Sequence, residues 1–116
     1  QNIETTGTVS DSKGDLRSIP QNAKTAAYAL IASDAGKHIS ITTGGVTVPA
    51  SVFSIGDAIT IYNNSGSSQT ITQGSGATLH EAGTANTGNR TLAQYGLATV
   101  LCVASDEFVI SGAGVS

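Results

Sequence analysis

The stretch that most limits what this chain can fold into is residues 56–73, GDAITIYNNSGSSQTITQ. Ile59 and Ile61 alternate with Thr60 and Tyr62, and Ile71 sits between Thr70 and Thr72. That is the period-two pattern of a strand with one buried face. Between the two segments, Asn63, Asn64 and Gly66 suit the positive-φ positions of a tight reversal, and the serines beside them can bond back to the backbone. The pattern predicts a β-hairpin with all three isoleucines facing a core, because a slip of one residue would turn them to water.

Punctuation along the rest of the chain points the same way. Residues 25–32 (TAAYALIA) are too short a run for a helix and are followed by the alternating HISIT of residues 38–42, predicting a second hairpin with Asp34 and Gly36 in its turn. Val46 and Val48 mark a short strand ended by Pro49. Residues 50–55 are expected to drop Val52, Phe53 and Ile55 into the core, and residues 74–89 to form a long surface loop anchored by Leu79. Residues 96–104 and 107–111 flank Ser105 and Asp106 as a further hairpin, with Phe108 and Ile110 on one face. The first of these two strands is apolar on both faces, which suits a strand covered from both sides. The expected fold is all-β: a single compact β-sandwich or small β-barrel of about eight short, mostly antiparallel strands. Residues 1–18 read as an extended N-terminal arm and residues 19–116 as the domain. Within the junction, Leu16, Arg17 and Ile19 are candidate clamp residues for a neighbouring subunit.

Composition narrows the functions available. Only 11% of residues are charged and the net charge is −3, so the surface must be covered by Thr, Ser, Gly and Asn. Five cations, Lys13, Arg17, Lys24, Lys37 and Arg90, are scattered rather than clustered, which argues against nucleic acid as a partner. The apolar runs fall far short of the roughly 20 residues needed to cross a bilayer as a helix. Cys102 is the one cysteine, so no internal disulfide or cysteine-zinc cluster can form, and its apolar surroundings predict a buried small hydrophobe. His38 and His80 have no third ligand at metal-binding spacing. The carboxylates Asp34, Asp57, Asp106 and Glu107 fall at predicted turns or strand starts, where they accept backbone hydrogen bonds. No serine sits in a nucleophile-elbow pattern, and no glycine run is followed by the lysine of a phosphate loop. No catalytic residues, cofactor or metal are therefore expected.

One series of motifs is more specific: RSIPQN (residues 17–22), SDAGKHI (33–39), TVPA (47–50), GDAITIYNNSG (56–66), TGNRTLAQYGLATV (87–100) and FVISGAG (108–114). In this order the motifs resemble a small β-domain that recurs in virion proteins of tailed bacteriophages, both fibre or appendage proteins and small head-decorating proteins. The resemblance runs from about residue 17 to the C-terminus and leaves residues 1–15 outside it. It implies a non-enzymatic structural role as a symmetric homo-oligomer, commonly a trimer, located in the virion after assembly in the host cytoplasm. Because no shaft or coiled coil accompanies the domain, a capsid decoration or cement protein bound to the major capsid protein is expected ahead of a tail fibre, neck or appendage subunit contacting host glycan.

Overall fold

The computed structural model describes residues 7, 9–15 and 18–116. Among them the chain is all-β, with a single 3-10 turn at Ala32–Asp34 as its helical element. A two-residue ladder joins β1 (Ser10–Asp11) to β2 (Gly14–Asp15), within the segment expected to be an arm. The remaining strands are β3 (Gln21–Lys24), β4 (Tyr28–Ala29), β5 (His38–Ile41), β6 (Val46–Val48), β7 (Ala58–Asn63), β8 (Gln69–Gln73), β9 (Thr78–Glu81), β10 (Arg90–Ala104) and β11 (Glu107–Val115). They form one folded-over sheet in the order β3-β5-β7-β10-β8-β6-β4, with β11 beside β10 and β9 beside β11.

The path of the chain through this sheet is a coil. The first strand of each turn, β3, β5 and β7, lies parallel to its counterparts, and the second strand of each turn, β4, β6 and β8, does the same on the opposite limb. Each strand is thereby the crossover between two strands of the other limb, so parallel pairing is reached without helices. The third turn is closed by β10, which runs back antiparallel along both of its strands. Residues Arg90 to Leu92 pair with β8 and Leu97 to Leu101 with β7. β11 then returns antiparallel to β10, and β9 joins it in parallel.

Strands expected around residues 38–42, 46–48, 58–62, 69–73, 96–104 and 107–111 are present, and their inward faces match the sequence pattern. Ile59, Ile61 and Ile71 are all fully buried, in one core with Ile39, Val48 and Ile110. Phe108 is also fully buried and meets Phe53 edge-on, with ring centroids 6.1 Å apart. The residue 96–111 hairpin is present as β10 and β11, turned by Asp106 at φ 56. Cys102 is free and buried, and burial raises its thiol pKa, with nearby Asp57 and Asp106 adding to the rise.

Strand partners differ from expectation. β7 and β8 do not pair with each other, so residues 63–68 form a corner between limbs rather than a hairpin turn. Nor do β4 and β5 pair, since β4 lies beside β6 while β5 lies between β3 and β7. Among the described residues five of the nine strand pairings are parallel, against the mostly antiparallel arrangement expected. The reason is that alternation reports which face is buried and is silent on which strand lies alongside. Residues 74–89 contain β9, with Leu79 fully buried, rather than a structureless loop. Ile55, expected in the core, is 71% exposed.

The first turn of the coil is fixed by a buried carboxylate. Asp34 accepts hydrogen bonds from Asn22 Nδ2 (2.9 Å), the Tyr28 hydroxyl (2.6 Å) and the Ile31 amide (2.9 Å). Burial, reinforced by the hydrogen bond and charge of Asp34, pushes the Tyr28 pKa up to about 12, while Asn22 pulls it slightly back. A phenol that holds its proton more tightly when folded contributes stability below its ordinary pKa of 10.0 and loses it as pH rises toward 12. Thermal midpoints are therefore expected to fall between pH 10 and 12. In Tyr28→Phe, midpoints followed across the same range should show a shallower fall, and an unchanged slope would contradict this account.

Candidate functional site

Of the corner residues singled out by sequence, Asn63 is bonded into the fold. Asn63 is fully buried, and its amide nitrogen donates to the carbonyls of Ser67 (2.7 Å), Leu92 (3.1 Å) and Ala93 (3.0 Å). Its Oδ1 accepts from the Ser65 hydroxyl at 2.7 Å. Gln69 performs the matching task toward the second turn, donating to the Thr42 carbonyl and accepting from the Gly45 amide, each at 2.9 Å. Asn64 and Gly66 are exposed, and neither they nor Asn63 adopts positive φ. The left-handed residue at this corner is Tyr95 on β10, with φ 54, whose amide donates to the Ser65 carbonyl at 3.2 Å. Gly36 does adopt positive φ (83), and its amide donates to the Ala58 carbonyl at 2.8 Å. It carries the chain from the Asp34 turn into β5.

Among the candidate clamp residues, Leu16 and Arg17 lie outside the described residues. Ile19 is 58% exposed. His38 Nδ1 lies 2.9 Å from the Ile19 carbonyl, and His38 Nε2 lies 3.2 Å from Gln21 Nε2. An Nδ1-protonated imidazole satisfies both contacts, donating to the carbonyl and accepting from the amide. The side chain of Ile19 borders a shallow, largely apolar depression of about 370 Å³ lined also by His38, Thr60, Tyr62 and Leu97.

That depression is one end of a wider surface. Along β10, Ala98, Val100 and Cys102 point into the core, while Leu97, Leu101 and Val103 point outward at 51%, 41% and 43% exposure. In register with them on the same face are Tyr62 on β7 and Val109 on β11. The sequence pattern implied cover on both sides of this strand. The structure covers one side, and the outward residues were missed as site candidates because alternation alone cannot tell a second core from a bare face. Charged residues are absent from the block formed by Leu97 to Leu101 with its partners on β7 and β11.

The titratable side chains are dispersed. His38 on β5 and His80 on β9 stand four strand spacings apart along β5-β7-β10-β11-β9, roughly 19 Å at the usual separation. Among the described residues no group of three or more His, Cys, Asp or Glu side chains is placed to hold a metal ion. Asp57 and Asp106 accept the backbone amides of Ser54 and Ser51, and Glu81 pairs with Arg90 at 2.7 Å. Among the described residues no helix is long and apolar enough to cross a membrane. Compared with protein-family models, characterised proteins and solved structures, the chain shows no significant match.

Proposed function

We propose that this chain is a non-enzymatic structural protein of a tailed-bacteriophage virion, a decoration protein that binds and stabilises the capsid shell as a homo-oligomer. The observation that carries this reading is the bare apolar face of β10. An antiparallel strand normally turns polar residues to water, and here three large aliphatics are left outside. Joined to the resemblance of the motif series to phage virion domains, it favours a subunit whose surface is built for contact. A decoration protein ties neighbouring shell subunits together through many modest contacts, and attachment at several points makes the total strong. Its partners are copies of itself and the major capsid protein, and its place is the mature virion.

A deletion tests the clamp. Removing residues 1–19, which takes away Leu16, Arg17 and Ile19, is expected to abolish co-sedimentation of the purified protein with phage capsids. Undiminished sedimentation with intact oligomers would exclude the clamp, and failure of the full chain to bind any phage particle would exclude the decoration role.

One observation favours a tail fibre, neck or appendage subunit instead. Tyr95 is 60% exposed and sits at the corner that carries Ser65 and Gly66. An aromatic ring beside hydroxyls and amides is the chemistry that stacks on a sugar ring. Gold labelling of the tail rather than the head, with loss of host-polysaccharide binding in Tyr95→Ala, would decide for that reading.

A further inference from the structure

We infer that the outward face of β7, β10 and β11 is the surface through which copies of this chain join, the occupant of each face being the same face of a second copy. The inference rests on the reading of the chain as an oligomeric structural subunit and assigns the contact to particular residues: Tyr62, Leu97, Leu101, Val103 and Val109.

Three features select a second copy over another kind of partner. First, the block of Leu97 to Leu101 and its register partners has no charged side chain, in a protein of net charge −3. Two copies that each carry net negative charge repel least where neither presents a charged side chain, so an uncharged block suits contact with a second copy. Second, the polar groups at its centre face each other, Thr60 Oγ1 lying 3.5 Å from Thr99 Oγ1 across the strand pair. The two hydroxyls can turn toward each other when the face is covered, which lessens the cost of drying it. Third, it is a sheet face carrying exposed aliphatic side chains, and such faces stack about 10 Å apart with interdigitated side chains.

Size sets the expected strength. Three strands by seven residues span roughly 14 by 23 Å, on the order of 300 Å² in projection, whereas a standard interface hides about 800 Å² per partner. The face is thus an interface core, and exposed Ile19 at its border extends it toward the N-terminal segment. Association should be concentration-dependent rather than permanent.

The test is sedimentation equilibrium of the full chain across the micromolar range, beside the double variant Leu97→Asp/Leu101→Asp and the control Ile31→Asp. Ile31 is 53% exposed and lies outside these three strands. Wild type and Ile31→Asp should associate, and the double variant should associate at least about a hundredfold more weakly, because like charges would be pressed together. Unchanged circular dichroism and thermal midpoint in the double variant are expected, since both leucines are already half exposed. Should that variant unfold, Val103→Lys applies the same test at the edge of the face. A wild type that stays monomeric overturns the inference, as does a folded face variant that associates normally. Capsid sedimentation of the same samples reports separately on the decoration role: an oligomer with a sensitive face that ignores capsids would refute that role and leave the interface standing.

Discussion

Asn63→Asp is expected to cost about 3–5 kcal/mol, enough to leave a domain of ordinary stability largely unfolded in mild urea. The Asn63 amide nitrogen serves three carbonyl oxygens at once, those of Ser67, Leu92 and Ala93. An ionised carboxylate in its place would turn an oxygen toward all three, with the Ser65 hydroxyl as the one side-chain donor it inherits from Asn63. The carbonyls would lose their partner, and the new charge would be buried among negative dipoles. Both faults fall on the corner that holds the third turn of the coil against β10. Lowering the pH should recover part of the loss, because the introduced carboxyl binds its proton more tightly folded than unfolded and, once neutral, donates one hydrogen bond. Asn64→Asp, one residue on and exposed, should stay within about 0.5 kcal/mol of wild type. Urea melts of the three proteins at neutral and mildly acidic pH measure the contrast. Equal stability of the two variants would refute the keystone role of Asn63.

The contrast between these adjacent asparagines also marks how far sequence reasoning reached. Alternation placed the strands and turned Ile59, Ile61 and Ile71 inward correctly, because period and burial are local properties of an extended chain. The same residues could not say that β7 and β8 part company at Asn63. Turn-forming side chains stabilise any change of direction, and whether the chain reverses or bends depends on what lies alongside. Here β10 lies alongside both strands, and its Leu92 and Ala93 carbonyls, some thirty residues away in sequence, take up the Asn63 amide. The asparagine pair therefore read as a hairpin turn. Parallel stacking was hidden for a related reason: its closing contacts join β3 to β5 and β4 to β6 across intervening strands. On β10 the double-sided apolar pattern was plain in sequence. What covers its second side is a property of the surroundings, and no residue along the strand encodes whether that cover is intramolecular.

Gly45→Ala is the second large effect expected, a loss of about 2–5 kcal/mol from backbone strain and overpacking together. Gly45, in the second turn of the coil, is hydrogen-bonded to both the first and the third. Its carbonyl accepts the Tyr28 amide of the first turn at 3.2 Å, and its own amide donates to Gln69 Oε1 of the third at 2.9 Å. It is buried and adopts φ 71, the left-handed region in which a β-carbon is disfavoured. A methyl group there would also overlap the Thr70 carbonyl oxygen, which is backbone and cannot swing aside. Relief would require the second and third turns to separate, stretching the Gly45–Gln69 bond and, through it, the Gln69 contact with Thr42. Gly36 provides the comparison, since it too adopts positive φ (83) but a β-carbon added there meets nothing within 4 Å. Gly36→Ala should therefore show the conformational cost alone, about 1–2 kcal/mol. Denaturant midpoints of the two variants separate strain from crowding, and a Gly45→Ala loss no larger than that of Gly36→Ala would mean that the turns of the coil are not held as closely as their register implies.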